Sequence, residues 1–247
     1  MTRLDLLLRS LLIQGSWNYR NLLGTGLAWT LGPNARGGTP PDSRGGDPAE
    51  VEPSFNAHPY LAAVAIGALT RASADREDPE RVRRFRDAIQ SALGSLGDNL
   101  VWGALRPFCL LAALLVGFLG GAAGVVVSSL LLAYNAAHLG LRAWGLSAGL
   151  DRGLEVAGAV RNAGLSDKAE RITAAGVLLA GVFGGALLGE AVRLPGASPV
   201  WIGGGAALLA MGLLRGEALR RAAPAVLLVA VLGGFVGSAV FAARLDG

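Results

Sequence analysis

Three short stretches hold residues whose types and spacing could do chemistry. FNAHP, residues 55 to 59, sets an amide, Asn56, and an imidazole, His58, directly before an apolar run. His58 could donate to a ligand hydroxyl, act as a base or take a phosphoryl group; the alternative is a structural histidine bonded to backbone. Pro59 biases His58 away from helical geometry, so both side chains sit on an extended lead-in to a helix starting near Tyr60. The unpaired amides of that helix start lie close by.

The second stretch is GSLGDNLVWGALRP, residues 94 to 107. Asp98, Trp102 and Arg106 fall at i, i+4 and i+8, one stripe if the segment is helical. An acid in an apolar membrane context is costly and marks a functional site by default. The alternative is local pairing of Asp98 and Arg106 that holds an element in shape. Gly94 and Gly97 allow a tight turn or a close backbone approach. In the third stretch, QGSWNYR at 14 to 20, Gln14 and Asn18 are four apart, beside Trp17 and Tyr19. Rings face the apolar C–H surface of a sugar while amides bond its hydroxyls. An interfacial aromatic belt with polar neighbours explains the same residues.

The elements that must position these residues are apolar. Of 247 residues, 52% are hydrophobic and 16% charged, against about a quarter charged in soluble domains. The mean hydropathy is +0.48. There are 37 glycines, many inside apolar runs, and small residues let membrane helices approach closely. GxxxG-like spacings are set aside as chance, given that abundance. The composition is that of a polytopic, all-α membrane protein.

Met1 to Gln14 lacks a long unbroken apolar core and a small-residue cleavage site, so it is not read as a signal peptide. Leu4, Leu7, Leu8, Leu11 and Leu12 fit an amphipathic helix lying at the membrane surface, with Arg3 and Arg9 available to lipid headgroups. The parts are N-terminal helices over 1–32, broken at Gly15 and Gly24; a Pro/Gly-rich loop over 33–53; a polar-motif region over 54–140; a cytoplasmic connection over 141–171; and C-terminal spans over 172–247. Asp78 and Pro79 mark a helix start. Span candidates are 109–134, interrupted by FLGGAAG, then 172–189, 199–214 and 224–243. Residues 61 to 69 are too short to span.

Six arginines over 71–86 and three over 215–221 place those segments in the cytoplasm and the C-terminus outside. Five positive residues from Arg142 to Arg171 place that segment inside as well. The run 109–134 then begins and ends on one side, unless it dips in and returns at its glycines. Broken backbone is tolerated in a membrane only where protein or a water-filled cavity satisfies it. Discontinuous helices are a transporter device.

Other chemistry is thin. The single cysteine, Cys109, supports neither a disulfide framework nor a metal site and reads as a small buried hydrophobe. Asn135 and His138 read as an interfacial polar cap, and Glu190 and Glu217 as solvated span ends. There is no phosphate-binding loop, no nucleophile elbow and no clustered His/Cys set, so no cofactor is expected. No basic patch is interleaved with exposed aromatics, which argues against nucleic acid. A membrane enzyme using His58 and Asp98 as acid and base is a further option, distinguished by turnover from the isolated chain.

Taken in order, Q-x-SWNY, FN-x-HPY with its apolar run, and G-x-x-GD-x-x-x-W-x-x-x-RP resemble the IID component of the mannose-type (mannose/fructose/sorbose) sugar phosphotransferase systems. LLRGEALRRAAPAVLLVAVLGGFVGSAV is similar to that family's closing turn and span. The resemblance implies a bacterial inner-membrane, multi-pass subunit with broken hairpins. It implies a IIC membrane partner, with which the chain forms a pathway for a hexose-type sugar in a hetero-oligomer. It also implies cytoplasmic IIA and IIB domains, which carry the phosphoryl group on histidines of their own. Neither His58 nor Cys109 is then a phosphocarrier. Trp17, Asn18, Asn56, His58, Asp98, Trp102 and Arg106 would shape the sugar site or a gate beside it. The family's charged helix between SWNY and FN-x-HP is replaced here by Pro/Gly-rich sequence, and 191–214 is shortened. Those departures fit a non-transporting assembly or sensory relative.

Overall fold

The computed structural model describes residues 1–32 and 54–193, with side chains through residue 180. The loop over 33–53, the spans 199–214 and 224–243, the basic segment 215–221 and Glu217 lie outside the described residues. The chain divides into two compact units, Met1–Ala180 and Gly181–Gly247. The first is all-helical, with two isolated bridges, Asn18 to Leu22 and Leu22 to Phe55, and no strand among the described residues.

Helix α1 spans Arg3–Leu11 and is closed by a capping box in which Thr2 and Asp5 satisfy each other's backbone amides. It buries Leu6 and Ser10 and leaves Leu4, Leu8 and Leu12 exposed, one stripe at i, i+4 and i+8. A 3-10 turn, Ile13–Ser16, follows, and α2 spans Gly24–Leu31. Residues 1–32 are therefore not one interrupted helix: Gly24 starts α2 rather than breaking it, and Gln14 and Asn18 do not share a helical face.

The centre of the unit is α3, Ala62–Ala74. Leu61, Ala62, Ala63, Val64, Ala65, Ile66 and Ala68 are each 0% exposed. Each Leu, Ile or Val removed from water there contributes about 1.5–3 kcal/mol. Its main neighbour is α6, Ala123–Arg152, and the two backbones nearly touch. A Cβ on Gly67 would lie 2.4 Å from the Leu146 carbonyl oxygen, and one on Gly149 would lie 2.3 Å from that of Val64. Gly145 and Gly149, four apart, are thus a working small-residue interface, not a chance spacing.

Helix α4, Pro79–Gly97, starts as the sequence predicts, with Asp78 accepting from the Arg81 amide and Pro79 in the first turn. It continues through a π-helical segment, Asp98–Leu105, into α5, Arg106–Phe118. The Arg106 N–H donates to the Val101 carbonyl, five residues back. Together these make a 40-residue helix. The π segment lies just ahead of Pro107, which has no N–H to offer the ladder. The apolar run breaks at FLGGAAG into two helices, where Gly120 takes a φ of +91°, a conformation that favours glycine. Helix α6 then runs through Asn135, His138 and Arg142. The polar cap expected at 135–138 is helix interior, and Arg142, counted above with the cytoplasmic charges, is 1% exposed. A 3-10 turn, Gly153–Glu155, leads to α7, Ala157–Asn162, and α8, Leu165–Arg193. Among the described residues two helices, Pro79–Phe118 and Ala123–Glu155, are long and apolar enough to cross a membrane.

Candidate functional site

The segment before α3 arrives extended, as Pro59 predicts, pinned at both edges. Phe55 exchanges backbone hydrogen bonds with Asn21 and Leu23, and the Asn56 backbone N–H donates to Gln90 Oε1 at 2.8 Å. Phe55 is fully buried. This strap lies against α4 at its glycines. Gly94 faces the Asn56 carbonyl at ordinary contact distance, and a Cβ on Gly97 would sit 2.1 Å from His58 Cβ. Gly97 thus serves a close approach, not a turn.

Strap and helix enclose a cleft of about 570 Å³, lined by Asn56, His58, Asp87, Gln90, Ser91, Ser95 and Asp98 among others. That volume falls within the range for small-molecule sites. Asn56, His58 and Asp98 are the three expected from the sequence; Asp87, Gln90, Ser91 and Ser95 are not, although Asp87, Ser91, Ser95 and Asp98 form a polar stripe at helical spacing.

His58 is the residue with an unmet need. It is 2% exposed. Its Nδ1 accepts the Tyr60 backbone N–H at 3.2 Å, which puts the ring proton on Nε2. Nε2 is buried and has no hydrogen-bond partner among the described residues. Burial, helped by the charge of Arg142 and by His138, pushes its pKa down to about 4. The ring is therefore neutral at physiological pH and presents one donor. A buried donor left unpaired costs about 1–3 kcal/mol, which a hydrogen-bonding guest would relieve.

Trp102 meets the His58 ring edge-on, with centroids 5.5 Å apart, and the Arg106 guanidinium stands 5.2 Å from the Trp102 ring centre. Arg106 is stacked on tryptophan, and no ion pair joins it to Asp98 among the described residues. Asp98, Trp102 and Arg106 each remain exposed in this chain. The SWNY group stands apart from the cleft lining. Asn18 Nδ2 donates to the Ser16 carbonyl and to Asn21 Oδ1, and its Oδ1 accepts from the Arg20 and Asn21 amides. All four positions of that amide hold a turn in which Leu22 carries a φ of +57°. None remains for a sugar. Trp17 is 47% exposed and packs edge-on with Tyr19.

A second cluster not expected from the sequence joins buried Tyr60 and Arg142 with half-buried Tyr134 and His138. Tyr60 stacks on His138 at 3.9 Å and bonds the Tyr134 hydroxyl at 3.2 Å, and Arg142 lies over its ring. The polar residues of an apolar helix, at 134, 138 and 142, are four apart, and that spacing was the available signal.

The family model described as the PTS system mannose/fructose/sorbose family IID component matches residues 2–195. Similar curated proteins include the mannose-specific EIID component of Escherichia coli K12, 28% identical over 159 residues, covering 60% of this chain and 54% of that one. The sorbose-specific EIID component of Lacticaseibacillus casei is 26% identical, covering 52% and 46%. The fructose permease IID component of Bacillus subtilis is also 26% identical, covering 62% and 57%. The chain spans about half the length of the curated relatives it matches. Solved structures that share its fold include two that each cover 74% of this chain, which in turn covers 70% of theirs. One, described as "Structure of membrane protein", aligns with a TM-score of 0.60 at 23% identity. The other, "CryoEM Structure of Mannose Transporter ManYZ and Microcin E492 (MceA) complex", aligns with a TM-score of 0.52 at 22% identity. With its two apolar helices and a family match over most of its length, the chain is a membrane protein that belongs to the mannose/fructose/sorbose family of IID components of the sugar phosphotransferase system.

Proposed function

We propose that this chain is the IID subunit of a sugar transporter. It would build the sugar pathway with a IIC membrane partner in a hetero-oligomer of the bacterial inner membrane. Uptake would be coupled to phosphorylation by IIB, supplied by IIA. In this reading the chain crosses the membrane several times, its C-terminus is periplasmic, and α3 with its strap is the half-length element that carries Asn56 and His58 to the sugar.

One observation carries the reading: His58, which lines a cleft together with carboxylates, hydroxyls and amides, holds a buried Nε2–H that has no hydrogen-bond partner among the described residues. A hexose supplies both acceptors for His58 and donors for Asp98 and the Asn56 amide. Trp102 and Arg106 lie outside the cleft lining and act from behind it, Trp102 packing against the His58 ring and Arg106 against Trp102. Each hydrogen bond contributes roughly 1 kcal/mol net, so affinity comes from several. Asp87 and Asp98 disfavour an anionic guest, which fits binding of the free sugar and not its phosphate. The chain carries no phosphoryl group in this scheme.

The test is sugar uptake by cells carrying the IIC, IIA and IIB partners. His58→Ala and Asp98→Asn are expected to abolish uptake while the protein still reaches the membrane. Normal uptake in both would remove the cleft from the pathway. The Pro/Gly-rich 33–53 segment, in place of a charged helix, supports a second reading, a non-transporting assembly or sensory relative. Wild-type cells with all partners but no uptake would favour it.

A further inference from the structure

Arg142 has no evident structural reason to be a cation. It is 1% exposed, and no ion pair engages it among the described residues. Its Nε donates to His138 Nε2 at 2.7 Å, and an Nη donates to the Ser10 carbonyl of α1. Burying a charge without an opposite charge is expensive, and an apolar residue of similar volume commonly packs as well or better. A methionine could join α1, α3 and α6 without that cost. What a methionine could not do is act on the ring that the guanidinium faces.

That ring is Tyr60, 5.2 Å from the Arg142 guanidinium carbon. Cation–ring attraction is strongest where water is excluded. Tyr60 is held on one side by the stacked His138, and its edge meets His58 with centroids 4.9 Å apart. Its backbone N–H occupies His58 Nδ1. We infer that Arg142 is a positioning residue for His58: by holding Tyr60 it keeps His58, a residue of the cleft lining, in its Nε2–H tautomer. The clamp also orders His138, whose Nε2 accepts from Arg142 and whose proton is therefore on Nδ1. The two histidines are opposite tautomers, and both rings contact one tyrosine. Use of the donor for sugar rests on the function proposed above; its orientation by Arg142 does not.

The chain has two histidines, so the tautomers can be read directly. The full chain, labelled with 15N-histidine and reconstituted with its IIC partner in lipid vesicles, is expected to show one ring of each tautomer. In Arg142→Met the His58 signals are expected to average between tautomers, and radiolabelled mannose is expected to bind about tenfold more weakly, a loss of about 1.4 kcal/mol. Arg142→Gln, which can keep the bonds to Ser10 and His138 while removing the charge, is expected to do the same and serves if the methionine variant fails to insert. Unchanged His58 signals in the variant that folds overturn the inference, even if mannose binding falls. Averaged His58 signals with undiminished mannose binding uphold Arg142's action on His58 and instead refute the cleft as the sugar site.

Discussion

Two apolar stretches of similar composition meet opposite fates. Helix α3 is short and buried on every side, with Leu61 through Ala68 essentially inaccessible. The hairpin of α5 and the first half of α6 is long, yet much of it faces outward, with Leu114 53%, Leu119 75% and Leu132 71% exposed. Hydropathy alone does not separate them; glycine placement does. Gly67 and Gly149 of the α3–α6 interface have foreign backbone within 3 Å of where a Cβ would stand, whereas Gly124 and Gly140 have nothing within 4 Å. One stretch is a core and the other is a surface suited to lipid or to another subunit. The polar cleft belongs to the first, because a short buried helix can hold an extended strap at its start where a spanning helix cannot.

This contrast can be broken most severely at the α3–α6 interface. Gly67→Leu or Gly149→Leu drives a side chain into facing backbone and is expected to cost upwards of about 4 kcal/mol, preventing accumulation of folded protein. Gly140→Leu is expected to change stability by less than about 0.5 kcal/mol. Thermal melts in detergent compare the three, and equal losses would dissolve the distinction. Next is the hairpin surface. Leu132→Arg is expected to cost about 2.5–3.5 kcal/mol of membrane insertion if that face meets lipid, read by a membrane-integration assay. Unimpaired integration would mean that it faces protein or water.

A sharper probe lies where strap and helix meet. Gly97→Ala is expected to displace His58 and cost about 1–3 kcal/mol, with mannose binding lost more steeply than stability. Gly103→Ala, whose Cβ would lie 3.5 Å from Asn99 Oδ1, is expected to be tolerated by both measures. The smallest effect is one of pH. His58 has a folded pKa of about 4 against 6.5 for an unperturbed histidine, so the unfolded chain takes up its proton first. The stability difference between wild type and His58→Ala is expected to be flat above pH 6.5. It should then shift against wild type as pH falls toward 4. A difference curve flat down to pH 4 would show that His58 is not held neutral.

Much of the site was legible because it depends on local chemistry. Pro59 forbids helix at His58, Asp78 and Pro79 start α4, and Gly120 ends the helix before it; each acts on its own backbone. Asn56, His58 and Asp98 stood out as polar residues in apolar surroundings, and they do line one cleft. Asn18 misled because an amide beside rings has the same appearance whether it serves a sugar or a turn. Its four hydrogen bonds, all to residues 16 to 21, show the turn. The spacing of Asp98, Trp102 and Arg106 assumes an α-helix; the segment is π-helical, Arg106 lies over Trp102, and Asp98 lines the cleft while the other two do not. Arg142 was hidden because a positive residue near the end of an apolar run reads as a loop charge.

From sequence alone follow the membrane-type composition, the helix boundaries set by proline, glycine and capping residues, and a family resemblance carried by motif order. Only the tertiary structure decides which apolar helix is enclosed and which glycines touch. It also brings Ser10 to Arg142, 132 residues apart in the chain. The physical reason is range: caps and breaks act within a turn of backbone, whereas burial and the cost of an unpaired donor depend on which distant surfaces fold against them.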